Sequence, residues 1–269
     1  MKKNIKNIIL GSTLILIMAL CTIIEIKGEK TIIANAKTGI SNVKIEWGIK
    51  RNNNHIQPEL GSKNKELISK YNGIALGNKD KKFIYLTFDL GYEAGYTDKI
   101  LDSLKENNVQ GLFFITAHYL NTAPELVKRM IDEGHIVGNH TVNHKSMPSL
   151  SDDEIKKEVM DLHQVIYQKY GYEMKYIRPP KGEFSERTLE LSEKLGYKTV
   201  MWSFAYVDWE EDNQPLEEEA IEKIMSNLHN GEVMLLHGTS KTNAGIMNEI
   251  IHKVREAGYE WKSINEFIE

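Results

Sequence analysis

From Lys82 to the C-terminus, short apolar runs alternate with stretches in which apolar residues recur every three or four positions. Short runs bounded by turn residues read as strands, and the 3.6-residue spacing reads as amphipathic helix. Strands are predicted at 83–88, 112–115, 136–138, 176–177, 199–202 and 233–236. Helices are predicted at 97–107, 124–133, 151–170, 185–195, 217–228 and 243–257. The first carries Ile100, Leu101 and Leu104 on one face, the second stops at Gly134, and Ser151 with Glu154 forms a capping box for the third. Such alternation predicts a parallel sheet with crossover helices. The expected class is α/β: a distorted or incomplete (β/α) barrel of about seven parallel strands, with its chemistry at the C-terminal strand ends.

Residues 1–36 follow another pattern. Lys2, Lys3 and Lys6 precede the uncharged, mostly apolar stretch 8–24, 17 residues long. This reads as an export segment, either a signal peptide cleaved near Ala34-Asn35-Ala36 or an N-terminal membrane anchor. It holds the single cysteine, Cys21, preceded by Leu20, which is too bulky for the usual lipoprotein signal. The remainder therefore has no disulfide and depends on an ordinary core. Residues 37–81 are polar and turn-rich and read as a lead-in packing on the domain at 82–269. Beyond residue 36 the chain carries 29 basic and 36 acidic residues, a balance that argues against nucleic acid as a partner and leaves neutral sugars open. A monomer is expected.

Five segments place a charged or ligating residue just after an apolar run. They deliver Asp89, the pair His140 and His144, Arg178, Asp208 and His237 to the same predicted rim. The i, i+4 histidines can converge on one metal ion in a helix or tight turn. Asp89 between Phe88 and Leu90 suits a general base, with its pKa raised by burial unless a cation pairs with it; before Gly91 it also reads as a turn former. Arg178 is a fork donor able to hold a carboxylate bidentately, or a surface ion-pair partner. The stiff Pro179-Pro180-Lys181-Gly182 loop can aim an amide such as that of Lys181 at an oxyanion. His237 suits a general acid, or simply caps a strand end. Asp208 can orient an imidazole, and Trp209 can wall a pocket or pack in the core. His118, His135 and His163 lack comparable settings and read as structural. Base, histidine pair, arginine and acid together describe metal-assisted hydrolysis of an amide or ester.

These segments resemble, in order, the motifs of the polysaccharide deacetylases, the NodB-homology carbohydrate esterases. They are Thr87-Phe88-Asp89-Leu90-Gly91, His140-Thr141-x-x-His144, Arg178-x-Pro180-x-Gly182, Asp208-Trp209 and Leu235-x-His237. Stretches from Tyr85 to Tyr96 and from Asp132 to His140 are most similar to the PdaA-like, muramic-δ-lactam-forming N-deacetylases of spore-forming bacteria. The resemblance implies Asp89 as base, His140 and His144 as metal ligands, and Arg178 holding Asp89. It implies the Lys181 amide at the acetyl oxygen, His237 as acid tuned by Asp208, and Leu235 with Trp209 lining the acetyl pocket. It also implies a divalent metal, Zn²⁺ above others, held weakly because Leu90 stands where the family usually has a third, aspartate ligand.

The expected function is that of an exported peptidoglycan N-deacetylase acting on N-acetylmuramic acid in glycan strands, after an amidase has removed the peptide, and leading to muramic-δ-lactam in the spore cortex. A deacetylase for N-acetylglucosamine in peptidoglycan or chitin-like chains is the alternative within enzymes. A catalytically inactive glycan-binding protein is the alternative outside them.

Overall fold

The structure, a computed structural model, describes residues 39–269; the export segment expected over 1–36 lies outside them. In chain order the elements are β1 (Ile45–Glu46), α1 (Ser62–Lys70), β2 (Phe83–Leu90), α2 (Thr97–Glu106), β3 (Leu112–Ile115), α3 (Ala117–Thr122), α4 (Pro124–Asp132) and β4 (Ile136–Asn139). There follow α5 (Asp152–Tyr170), β5 (Tyr176–Ile177), β6 (Glu183–Phe184), α6 (Glu186–Lys194), β7 (Lys198–Thr199), α7 (Glu217–Asn227), β8 (Glu232–His237), α8 (Lys241–Glu256) and β9 (Glu260–Trp261). The predicted capping box opens α5, with the Ser151 hydroxyl accepting from the Glu154 N–H and the Glu154 carboxylate accepting from the Ser151 N–H. Among the described residues no helix is long and apolar enough to cross a membrane.

The main sheet runs β7-β5-β4-β3-β2-β8, with β9 added beside the start of β2, and every pairing in it is parallel. The two ends of that order meet. Ser203 and Phe204, just past β7, donate to the Val233 carbonyl at 3.0 and 3.2 Å, and the Leu235 N–H donates to the Phe204 carbonyl at 2.9 Å. The sheet thus curls into the predicted barrel, closed on this side by one short bridge.

Side chains alternate across a strand, so the barrel has two cores. Tyr85, Leu112, Phe114, Ile136 and Val233 pack inside it, while Leu86, Phe88, Leu90, Phe113, Val137 and Leu236 pack outward beneath the helices. Continuing the inward column upward gives Thr87 then Asp89 on β2, Leu235 then His237 on β8, and Gly138 then His140 at the end of β4. Gly138 has a steric reason to lack a side chain, because a Cβ there would stand 2.5 Å from the Phe114 ring.

The predicted strand at 199–202 is shorter than expected. Beyond Thr199 its backbone groups turn to Ile74, whose N–H donates to the Thr199 carbonyl at 2.8 Å and whose carbonyl accepts from the Met201 N–H at 2.7 Å. The polar segment before Lys82 is also more ordered than its composition suggests. It supplies α1, and β1 pairs antiparallel with β6. Trp47, Leu67, Ile68 and Tyr71 bury against Phe184, Leu189 and Met201.

His135 and His229 are buried, and burial holds each at about 4, below the usual 6.5. Above pH 6.5 they are neutral in folded and unfolded chains alike. Between about 6.5 and 4 the unfolded chain takes up protons that the folded one refuses, so stability falls as pH drops, by up to about 1.4 kcal/mol per pH unit per histidine. Denaturant unfolding between pH 7 and 5 should show this decline, and His135→Gln should flatten it. An unchanged slope in that variant would contradict the assignment.

Candidate active site

The strand ends bring the predicted residues to one rim. Asp89 and His237 are direct neighbours in the parallel register of β2 and β8. On the other side of β2, Asp89 pairs with Phe114, and Phe114 pairs with Gly138. Arg178 follows β5, and its N–H donates to the Asn139 carbonyl at 3.0 Å. Asp89, His140, His144, Lys181, Trp209, Leu235 and His237 all line one cavity of about 1300 Å³.

Arg178 is the floor of this site. It is 0 % exposed, which removes the surface ion-pair reading. Its Nη1 donates to Asp89 Oδ1 at 2.7 Å, Nη2 donates to the Thr87 hydroxyl at 2.9 Å and the Met201 carbonyl at 3.3 Å, and Nε donates to the Val200 carbonyl at 3.0 Å. The guanidinium lies 4.3 Å from the Phe114 ring centroid, a cation–π contact from below. The expected bidentate fork is therefore corrected: one arm holds Asp89, and the rest of the fork is spent on Thr87 and strand carbonyls. That leaves Asp89 Oδ2 free to face the cavity. Burial pushes the Asp89 carboxyl up, but the charge and hydrogen bond of Arg178, with the charge of His237, outweigh it and hold the group below the usual carboxylate value. The cation proviso attached to Asp89 is the case that applies.

His140 and His144 converge without a helix. Residues 140–146 form an irregular turn in which Thr141 and His144 have left-handed φ of 67° and 53°. The turn is tied by Asn139 Oδ1, which accepts from the Thr141 N–H at 2.8 Å, and by the Glu158 carboxylate, which accepts from the Asn143 N–H and side-chain amide at 2.7 Å each. His140 Nδ1 lies 2.8 Å from the Arg178 carbonyl, so Nδ1 carries the proton and Nε2 presents a lone pair. The two Nε2 atoms are 3.1 Å apart, and Asp89 Oδ2 is 3.5 Å from that of His140. Burial lowers both imidazoles, His144 to about 4, so both are neutral and able to ligate.

Two ligands about 2.1 Å from one tetrahedral ion would stand roughly 3.4 Å apart, so the pair fits a metal. Among the described residues no group of three or more His, Cys, Asp or Glu is placed to hold one. Leu90 belongs to the outward column: it is fully buried beneath the helices, where its Cδ2 fills the space a Cβ on Gly238 would need. Because β2 stays extended through position 90, the Leu90 side chain faces away from the histidines and offers them no ligand.

His237 is set up in the opposite sense. Its Nδ1 is 2.7 Å from Asp208 Oδ1, and its N–H donates to Asp208 Oδ2 at 2.9 Å. Burial disfavours the imidazolium, yet the Asp208 hydrogen bond and charge win and raise its pKa above the usual histidine value. Asp208 is positioned by the Asn243 amide at 2.6 Å, and Asn243 by the Tyr206 hydroxyl. The Trp209 ring lies 5.1 Å from that of His237 and is 47 % exposed, so it walls the cavity instead of filling the core. Lys181 has a left-handed φ of 60°, and Gly182 beside it presses on Trp202, leaving no room for a Cβ.

Thr87, Glu158, Asn243 and Tyr206 escaped the sequence reading. Each acts through a partner brought close by the fold, and a hydroxyl or amide inside an element carries no local signal of that. Arg51, in the polar lead-in, also lines the cavity unforeseen. His118, His135 and His163 lie outside it, as expected.

Residues 76–200 match the polysaccharide deacetylase family. The peptidoglycan-N-acetylmuramic acid deacetylase PdaA of Bacillus subtilis is 42% identical over 230 residues, covering 85% of this chain and 88% of that protein. This chain belongs to the polysaccharide deacetylase family. The solved structure of PdaA, a family 4 carbohydrate esterase, superposes with a TM-score of 0.82 over 85% of this chain and 98% of that one. A peptidoglycan-N-acetylglucosamine deacetylase of Bacillus cereus is 33% identical over 172 residues, 64% of this chain and 62% of that protein. A family pseudoenzyme of Bacillus anthracis is 25% identical with a TM-score of 0.68, over 73% of this chain and 69% of that one. The family comprises hydrolases of amide bonds, in keeping with the chemistry that the rim can perform.

Replacing Arg178 by Met should leave the Asp89 carboxylate buried without its cation. The expected loss of unfolding free energy is about 3–5 kcal/mol, and a loss below about 1 kcal/mol in denaturant titration would show that the pair does not anchor this rim.

Proposed function

We propose that the protein removes the acetyl group from N-acetylmuramic acid in peptidoglycan strands. The observation that carries the reading is the joint placement around one cavity of Asp89 held by Arg178, the paired imidazoles of His140 and His144, and His237 held by Asp208. Identity with PdaA across most of both chains supports muramic acid over glucosamine as the sugar.

In this reading Asp89, held by Arg178, takes a proton from the attacking water through Oδ2. His140 and His144 would hold a divalent cation such as Zn²⁺, whose charge supplies Lewis acidity toward the acetyl carbonyl and lowers the pKa of water. With two protein ligands it would be held weakly. The Lys181 amide supports the developing oxyanion, and Leu235 and Trp209 enclose the acetyl methyl. His237, kept protonated by Asp208, donates to the departing amine, so acetate and a free amino sugar result. On a strand already stripped of its peptide by an amidase, that amine then condenses with the lactyl carboxyl, losing water, to give muramic-δ-lactam in the spore cortex. Such a substrate lies outside the cell membrane, in line with the export segment read at 1–36, and a monomer suffices for the chemistry.

A glycan-binding role without turnover is the second reading. Leu90 in place of a third ligand favours it, as does the presence of a pseudoenzyme among the similar structures. The two readings separate on acetate release from peptide-free muramic-acid glycans with added metal. We expect release by the wild type, loss of at least about a hundredfold in kcat for Asp89→Asn, and retained glycan binding in that variant. No release at any metal concentration would leave the binding role standing.

The pH profile follows from these shifts. Asp89 must be ionised, which its lowered pKa ensures, and His144 must be neutral to ligate, so the acid limb falls near 4. His237 must be protonated, and its raised pKa puts the alkaline limb above 6.5. Asp208→Asn removes the main raising influence, so the alkaline limb of kcat/KM should move to lower pH. A limb that stays in place would mean that another group is the acid.

A further inference from the structure

The cavity is larger than an acetyl group or a single sugar needs, and one of its walls comes from the segment before Lys82. There Lys50 and Glu59 exchange both backbone hydrogen bonds at 2.9 Å, closing a hairpin-like loop. The loop is braced by Asn52 Nδ2, which donates to the Gln57 carbonyl at 2.6 Å, and by His55 Nδ1, 2.7 Å from the Leu228 carbonyl at the end of α7. Arg51 projects from this braced loop. Its Nη2 donates to the Ala205 carbonyl, and its guanidinium lies 5.7 Å from the Phe204 ring centroid. Ala205 stands three residues before Asp208, and the Phe204 carbonyl accepts from Leu235, two residues before His237. Arg51 is thus fixed to the same wall that carries the acid histidine and its aspartate.

Arg178, the other arginine at the site, is neutralised by Asp89. Arg51 has no carboxylate within ion-pair distance among the described residues, though it lines the cavity. A guanidinium carries five N–H donors in a planar fork, and only one is occupied at Ala205. An exposed, braced, unneutralised fork facing a ligand cavity matches a planar or tetrahedral oxyanion such as a carboxylate. Muramic acid differs from glucosamine by a 3-O-lactyl group, and removal of the peptide leaves that group as a free carboxylate. Placement within the chain agrees. The family-wide match begins at residue 76, whereas a 230-residue match in a chain of 269 includes residue 51 wherever it lies, and that match is to the muramic acid deacetylase.

We propose that Arg51 is a specificity-determining residue that binds the lactyl carboxylate of peptide-free N-acetylmuramic acid. This rests on the muramic acid reading given above, and it explains why a strand without peptide would be the preferred substrate. The Lys223 ammonium of α7 also lines the cavity, but as a point charge on a flexible stem it cannot offer the same fork.

The test compares acetate release by the full chain from peptide-free muramic-acid glycan and from the same glycan with its lactyl carboxylates methyl-esterified. Arg51→Met should raise KM on the free acid by roughly ten- to a hundredfold with kcat within about twofold. It should also abolish the preference for free acid over ester, with Arg51→Lys recovering part of it. Thermal midpoints of both variants establish that they fold. Equal losses on acid and ester, or no loss on either, would overturn the role of Arg51 alone. Wild-type protein inactive on both glycans would overturn the functional reading along with it.

Discussion

The buried pair of Arg178 and Asp89 is the interaction on which the rest of the site depends. A guanidinium without exposure is stable only if most of its donors are used and its charge is met. Here four of its N–H groups go to Asp89, Thr87 and the carbonyls of Val200 and Met201, with an aromatic face below. That arrangement fixes four strands at once. Gly138 admits the Phe114 ring, the ring supports Arg178, Arg178 orients Asp89, and the Arg178 carbonyl sets the tautomer of His140. Removing the cation would therefore disturb base and metal-ligand geometry together.

The same pair divides the charge of the site. Asp89 is kept anionic next to a cation, the two imidazoles are kept neutral by burial, and His237 is kept cationic by Asp208. Groups with similar intrinsic chemistry are driven apart by their surroundings, which is how one cavity can hold a base, a ligand pair and an acid. The division also explains why the three histidines cannot exchange roles. Only His237 has a carboxylate on Nδ1; His140 has a carbonyl there, and His144 has neither among its hydrogen bonds.

Apolar runs that end in a charged or ligating residue made much of this legible from sequence. Asp89, His140 and His237 continue inward-facing columns of β-strands, so apolar runs ending in a polar residue pointed at the rim, and α2 and α5 fell where periodicity and the capping box put them. What was illegible depends on contacts distant in sequence. Ile74 competes for the backbone of Thr199 and Met201, and so β7 ends early. Arg178 reads as a bidentate fork until Thr87, 91 residues away, claims one arm. Arg51 lies in a polar stretch whose composition gives no hint that it walls a cavity. Leu90 was noticed as a missing ligand, but its orientation follows only once β2 is seen to stay extended through it.

The central claim is the division of charge, and NMR titration of ring-labelled histidines in the metal-free protein measures it directly. The account predicts that His237 stays protonated above pH 6.5 while His144 remains neutral until about pH 4. If His237 instead lost its proton below 6.5, or the two titrated together, Asp208 would not be holding an acid in place, and the account would be wrong.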